Sequence, residues 1–255
     1  MMLNMTTMGE TSDQPPVLLA HGLFGSGKNL GGLARRLAAT RRVVSVDMRN
    51  HGDSPQDPDH SYPALARDLA EVIEAQGGQA DVLGHSMGGK AAMMLALTHP
   101  ALVRRLVVLD IAPYGYDHSQ TDLIDAMEAL DLTGLRLRSE ADARLARQVA
   151  EPGVRAFLLQ SLDLKSDPPR WKLNLPALRD QMPLLVGWPE APRARFDGPA
   201  LFLAGAQSTY CREPQVEAIR AFFPQARIRF MAGAGHWLHA DRPAEVADAV
   251  ADFLG

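Results

Sequence analysis

The chain has 255 residues, of which 46% are hydrophobic and 22% are charged, and this suits one large α/β domain or a domain with an insertion. The formal net charge of −4 argues against nucleic acid or an anionic membrane surface as the main partner, because both favour a basic surface. A single cysteine, Cys211, excludes an intrachain disulfide and favours a reducing compartment.

The first residues carry neither the basic segment nor the apolar core of a signal peptide. The longest apolar run of interest, residues 91–97, is far too short to span a bilayer. We therefore expect a cytoplasmic protein that is not inserted into a membrane.

Short apolar runs alternate along the chain with longer segments of helical periodicity. Fully apolar runs of about four residues are typical of strands buried on both faces of a sheet. We predict six strands, at 17–20, 43–46, 81–84, 106–109, 201–204 and 228–231. The helical segments of the core lie at 30–39, 62–76, 87–98, 213–223 and 244–254. This alternation predicts a mostly parallel, doubly wound α/β sheet covered by helices.

The stretch from 113 to 197 breaks this alternation. It contains no convincing strand, but it has helical patterns at 121–130, 139–150 and 153–162. We interpret it as a helical cap inserted between two late strands. Residues 1–112 and 198–255 then form the core of the domain.

Residues 84–88 read G-H-S-M-G and match the pattern G-x-S-x-G. The pentapeptide alone is a weak signal, but here it follows a predicted strand and opens a predicted helix, as a nucleophile elbow requires. Ser86 is therefore the candidate nucleophile. The alternative is an ordinary glycine-rich turn between a strand and a helix.

A serine hydroxyl is a poor nucleophile without a base. His236 directly follows the predicted strand 228–231, and parallel sheets place functional groups in such strand-end loops. We predict that His236 is the base. His239 is the rival, although a surface or structural role suits it better.

An oxyanion hole needs backbone N–H donors aimed at the developing negative charge. One donor should be Met87, the residue after the nucleophile, and the second should come from the loop after an early strand. That loop begins H-G-L-F-G-S at residue 21, so Leu23 is the first choice and Phe24 the second.

Several motifs together resemble the α/β-hydrolase superfamily over nearly the whole chain. They are H-G-L-F-G-S at 21–26, D-M-R-N-H-G-D-S at 47–54, G-H-S-M-G-G at 84–89 and G-A-G-H-W at 233–237. With M-G-G-K at 87–90 and D-I-A-P at 110–113, they resemble a bacterial esterase and acyl-CoA thioesterase subfamily, akin to mitochondrial α/β-hydrolase domain-containing lipid hydrolases. The resemblance implies the α/β-hydrolase fold, a helical cap, no cofactor, and hydrolysis of carboxylic esters or thioesters with short to medium acyl chains.

The position where many members of the superfamily carry the triad acid, after the penultimate strand, holds Ser208. A serine cannot supply the negative charge that stabilises an imidazolium. Asp110 ends the preceding strand and keeps the chain order serine, acid, histidine, and the resemblance supports an acid in this place. We predict that Asp110 is the acid and that Ser208 is a supporting hydrogen-bond partner of His236. The alternative for Asp110 is a cap of the following turn.

The expected substrate is a small-molecule ester or an acyl-CoA, in contact with Phe24, Trp188 and Trp237. We expect no metal and no nucleotide cofactor, since neither a ligand cluster nor G-x-G-x-x-G opening a βαβ unit is visible. Five cap arginines suit the phosphates of coenzyme A, but interleaved acids make a solvated helix face an equal explanation: Arg136, Arg138, Arg144, Arg147 and Arg155.

Two other functions stay open on the same fold. A serine triad does not separate esterases from C–C bond hydrolases or haloperoxidase-like enzymes. A low-turnover receptor for a small ligand is the alternative of another class, because Ser208 stands in the usual acid position. The sequence does not indicate an oligomeric state.

Overall fold

The computed structural model describes residues 1–189 and 194–255. These residues form nine strands. They are β1 (Met5–Met8), β2 (Val17–Ala20), β3 (Val43–Val46), β4 (Ala80–His85), β5 (Val103–Leu109), β6 (Leu162–Asp163), β7 (Arg170–Trp171), β8 (Ala200–Gly205) and β9 (Ala226–Met231). Seven of them build the central sheet in the order β1-β3-β2-β4-β5-β8-β9.

The central sheet is parallel except for its edge strand β1, which pairs antiparallel to β3. The register aligns the carboxyl ends of the parallel strands. Ala20 lies level with Val46 and Gly84, and His85 lies level with Leu109. The chain runs outward from β2 to β3 and then crosses to β4 on the other side. Ligand sites of open α/β sheets lie at such a reversal of strand order.

Helices cover both faces of the sheet. The described helices are α1 (Gly31–Leu37), α2 (Tyr62–Ala75), α3 (Met87–Thr98), α4 (Thr121–Glu128), α5 (Arg138–Leu145), α6 (Pro152–Leu158), α7 (Leu175–Asp180), α8 (Met182–Val186), α9 (Glu213–Phe222), α10 (Leu238–Asp241) and α11 (Pro243–Leu254). α1 and α11 pack on one face, and α2, α3 and α9 pack on the other. The strands are thus buried on both sides, which explains their apolar runs.

The predicted insertion is present, since α4 to α8 all lie between β5 and β8. The prediction that this region has no strand is wrong, because β6 and β7 form an antiparallel pair. Each has two residues, too few to show a periodic pattern. Helices α5 and α6 also end earlier than predicted. The boundaries 113 and 197 stay a prediction, and residues 190–193 of the predicted cap lie outside the described residues.

Sequence analysis also missed β1, whose four residues are half-buried or exposed and therefore lack a continuous apolar run. None of the helices in the described part of the chain has both the length and the apolar character needed to cross a bilayer.

Candidate active site

Ser86 occupies the tight turn between β4 and α3. Its backbone has φ 52° and ψ −120°, a conformation that side-chain-bearing residues rarely adopt. The flanking glycines make this turn possible. A Cβ at Gly84 would lie 2.2 Å from the Gly88 carbonyl oxygen, and one at Gly88 would lie 2.4 Å from the Ala20 carbonyl oxygen. The G-x-S-x-G pattern is therefore a packing requirement, and it lifts the serine hydroxyl above the sheet.

A continuous chain of hydrogen bonds runs from Ser86 to a buried carboxylate. His236 Nε2 lies 3.1 Å from Ser86 Oγ, and His236 Nδ1 lies 2.7 Å from Asp110 Oδ2. His236 comes from the loop after β9 and Asp110 directly follows β5, as the sequence predicted from strand-end positions. His239, the rival base, instead packs its ring against His85 at 4.6 Å between centroids.

Asp110 is almost completely buried, and its carboxylate accepts three hydrogen bonds. Besides His236, the donors are the Gly205 N–H to Oδ1 at 2.8 Å and the Ser208 hydroxyl to Oδ2 at 2.5 Å. The predicted bond from Ser208 to His236 is thus wrong, because the hydroxyl donates to the acid instead. Ser208 is itself held by the Tyr210 N–H at 3.2 Å. The bonds from Gly205 and Ser208 thus hold the carboxylate in the position in which it accepts from the imidazole.

The loop after β2 runs alongside Ser86. A Cβ at Gly22 would lie 3.2 Å from Ser86 Cβ, so only glycine fits here without displacing a neighbour. The Gly22 carbonyl accepts from His21 Nδ1 at 2.7 Å and from the Gly25 N–H at 3.1 Å. In a trans peptide the C=O and N–H point in opposite directions, so the Leu23 N–H faces away from these donors.

Phe24, the second choice of oxyanion donor, does not fit that role. Its N–H donates to His51 Nε2 at 3.1 Å and is therefore not available to a substrate. The other predicted donor, Met87, is the first residue of α3, where backbone N–H groups lack intrahelical partners. Leu23, Met87 and Ser86 thus line the same cavity, whereas the N–H of Phe24, which also lines it, is already bonded to His51.

A cavity of about 740 Å³ opens over Ser86, between the sheet and the cap. Its apolar wall comes mostly from the cap, and its polar residues come from the loop after β2 and from the 3₁₀ turn Leu159–Ser161 that follows α6. The apolar members include Leu123, Val154, Phe157, Met182, Leu185 and Val186, and the polar ones Lys28, Asn29 and Gln160. Of the predicted substrate contacts, Phe24 and Trp237 line the cavity. The third is wrong, because Trp188 lies behind the wall, against Tyr62 and Phe222.

The comparisons with known proteins agree with this architecture. Residues 15–243 match the family model described as the alpha/beta hydrolase fold. The chain belongs to the α/β-hydrolase fold family. This membership confirms the predicted fold class and the resemblance stated for the sequence motifs.

Two curated members of the family and one solved structure are especially similar. Esterase YbfF of Escherichia coli (strain K12) is 43% identical over 241 residues, which cover 94% of this chain and 92% of that protein. The sn-1-specific diacylglycerol lipase ABHD11 of Mus musculus is 42% identical, with 94% of this chain and 81% of that protein covered. The solved structure of a marine microorganism esterase has a TM-score of 0.93 at 35% identity, covering 99% of both chains.

Lys90 is a buried charged residue in the lining of the cavity that sequence reasoning did not single out. It lies one turn after Ser86 and is fully buried. Its ammonium group donates to the carbonyls of Leu185, Val186 and Gly187 at 3.5, 3.1 and 2.6 Å. Burial lowers the pKa of Lys90 to about 7. No spacing in the sequence links residue 90 to the end of α8, so only the fold reveals this anchor between core and cap.

Three buried histidines form a row behind the loop after β2. The rings of His21 and His51 are 5.2 Å apart, and those of His51 and His60 are 5.5 Å apart. Backbone donors set two tautomers, since the Met48 N–H points at His21 Nε2 and the Phe24 N–H points at His51 Nε2. His60 Nε2 faces the Met87 sulfur at 3.4 Å. Burial lowers the pKa of each of the three imidazoles. The pKa of His60 falls to about 3.

Replacing His60 should flatten the pH dependence of stability. The unfolded chain takes up a proton at His60 below its ordinary pKa of 6.5, whereas the folded chain does so only near pH 3. His60 therefore makes its full contribution to the free energy of unfolding above about pH 6.5. This contribution falls as the pH drops from 6.5 towards 3, by up to about 1.4 kcal/mol per pH unit. Urea unfolding of wild type and His60→Gln at pH 7, 6 and 5 measures the difference. Parallel stability curves would contradict the assignment.

Proposed function

We propose that this carboxylic ester hydrolase works through an acyl-enzyme formed on Ser86. The observation that carries the proposal is the unbroken chain of hydrogen bonds from Ser86 through His236 to the buried Asp110, at the floor of the cavity. In this arrangement Ser86 is the nucleophile, His236 is the general base and Asp110 is the acid that orients the base.

In the first half-reaction, His236 Nε2 accepts the hydroxyl proton while Ser86 Oγ attacks the ester carbonyl. The Leu23 and Met87 N–H groups bind the oxyanion of the tetrahedral intermediate. Asp110 holds the Nδ1–H of the imidazole and stabilises the imidazolium that forms. His236 then returns the proton to the alcohol, which leaves, and the acyl group stays on Ser86.

In the second half-reaction, a water molecule takes the place of the alcohol. His236 Nε2 accepts its proton, the resulting oxygen nucleophile attacks the acyl carbonyl, and Ser86 leaves with the proton returned by His236. The products are the carboxylic acid and the free enzyme. The same oxyanion donors serve both steps because the reacting carbonyl keeps its position.

The cavity favours neutral esters with short to medium acyl chains. Its cap wall is apolar, and the cap arginines are engaged elsewhere. Arg144 donates to the Asp131 carbonyl, Arg155 pairs with Asp142, and Arg138 donates to the Leu159 carbonyl. Arg136 and Arg147 are exposed outside the cavity lining. The arginines thus do not support recognition of the coenzyme A phosphates, and we propose acyl-CoA as a minor substrate at most. A cytoplasmic location remains part of the proposal.

A matched pair of thioesters tests this substrate class. Because no described residue that lines the cavity is an arginine, kcat/KM for butyryl-CoA should not exceed that for S-butyryl-N-acetylcysteamine, which has the same acyl group without the phosphates. p-Nitrophenyl butyrate should give a burst of p-nitrophenol that is absent in Ser86→Ala. A gain of about tenfold from the nucleotide would contradict the substrate assignment. Activity that survives in Ser86→Ala would contradict the acyl-enzyme itself.

Asp110 and Ser208 should differ sharply in their effect on turnover. Asp110→Asn removes the charge that stabilises the imidazolium, so kcat should fall by about 10³- to 10⁴-fold. Ser208→Ala removes one donor to the charged carboxylate, which is worth about 1.5 kcal/mol, so kcat should fall by about tenfold. Steady-state kinetics on p-nitrophenyl butyrate measures both, with the exposed Asp197→Asn as the matched control. Equal, small losses at Asp110 and Ser208 would refute these roles.

A further inference from the structure

A buried hydrogen bond joins the cap to the backbone of the loop after β2. Ser161 ends the 3₁₀ turn Leu159–Ser161, just before β6, and its hydroxyl donates to the Phe24 carbonyl at 2.7 Å. The two residues are 137 positions apart in the chain. Ser161 is only 6% exposed, so water does not compete freely for this bond.

Phe24 is held in a strained conformation by bonds on both sides. Its φ of 63° lies in the left-handed region, which costs a residue with a side chain about 1 kcal/mol or more. The core binds its N–H through His51 Nε2, and the cap binds its carbonyl through Ser161. Such a conformation persists only where its surroundings fix it. Removal of either bond therefore lets this part of the loop relax.

The two groups that hold Phe24 belong to one connected frame. The Ser161 carbonyl accepts from the Lys172 N–H at 2.8 Å, and the Lys172 carbonyl accepts from the Gly52 N–H at 2.8 Å. His51 itself forms an isolated β-bridge with Leu173, two residues after the end of β7. The cap segment that carries Ser161 is thus bonded to the core loop that carries His51.

We propose that Ser161 is a positioning residue through which the cap completes the oxyanion hole. By fixing the Phe24 carbonyl, Ser161 sets the backbone directly after Leu23, whose N–H is the proposed donor. This inference rests on the proposed function. Since the oxyanion exists only in the transition state and the tetrahedral intermediate, Ser161 should act on kcat and leave substrate binding nearly unchanged.

The test is Ser161→Ala, with Ser166→Ala as its matched control. Ser166 lies in the same cap and its hydroxyl also donates to a backbone carbonyl, that of Asp163 at 3.0 Å, but it does not reach the loop after β2. We expect Ser161→Ala to lower kcat on p-nitrophenyl butyrate by about ten- to a hundredfold, with KM within about twofold. The control should keep the wild-type kcat.

A second readout separates positioning from general stability. A trifluoromethyl ketone forms a tetrahedral adduct with a serine nucleophile and places its oxygen in the oxyanion hole, so Ser161→Ala should raise its inhibition constant by the same factor that lowers kcat/KM. Inhibition by dibutyl ether, which offers neither a carbonyl group nor a charge to the oxyanion hole, should stay unchanged. If the alanine variant does not fold, Ser161→Cys keeps a side chain of similar size with a weak donor and serves for the same measurements.

The outcomes distinguish this inference from the proposed function. An unchanged kcat, a rise in KM alone, or an unchanged inhibition constant in a folded Ser161 variant would overturn the positioning role while leaving the acyl-enzyme intact. Activity that survives in Ser86→Ala would refute the proposed function instead.

Discussion

The site depends on the hydrogen bonds that the buried carboxylate of Asp110 accepts. Its three donors are the last residue of β8, the loop that follows β8 and the loop that follows β9, while Asp110 itself follows β5. One side chain therefore ties together three strand ends and aims an imidazole at Ser86. A buried carboxylate is costly unless its acceptor positions are filled, so the loops have to close around it for the domain to be stable.

Strained backbone is concentrated at the same edge of the sheet. The described residues other than glycine with positive φ are Phe24, Asn50, Ser86 and Asp110. They follow β2, β3, β4 and β5, which are neighbours in the sheet. Ser86 and Asp110 directly follow their strands, whereas Phe24 and Asn50 lie four residues beyond theirs, in the loops at the same end of the sheet. The regular interior of the sheet supplies the stability that sustains this strain.

Much of this edge could be predicted from the sequence because it follows from chain order. A parallel sheet brings its strand ends together, so a motif directly after an apolar run already has an approximate position in space. That is why Ser86, Asp110 and His236 could be assigned without a structure. The two-residue strands and the half-exposed β1 were missed because their local signal is too short or too weak.

Other features could not be predicted because they depend on contacts between distant parts of the chain. Whether the Ser208 hydroxyl donates to Asp110 or meets His236 depends on the path of its loop in the folded chain. Trp188 has a large aromatic side chain of the kind that lines pockets, but it packs behind the cavity wall. Ser161 and Lys90 donate hydrogen bonds to backbone carbonyls. Every residue has a backbone carbonyl, so the amino-acid type of the acceptor residue does not indicate such a bond. The sequence therefore indicates the reacting groups better than the groups that hold them.

The anchor made by Lys90 has a consequence for how the substrate pocket can change. The ammonium group binds main-chain oxygens at the end of α8, and every amino acid provides such an oxygen. Side chains at 182–187 can therefore be exchanged without removing the anchor. Met182, Leu185 and Val186 line the cavity. Substitutions at these positions can thus reshape this wall of the cavity while its backbone stays attached to α3, the helix that directly follows Ser86.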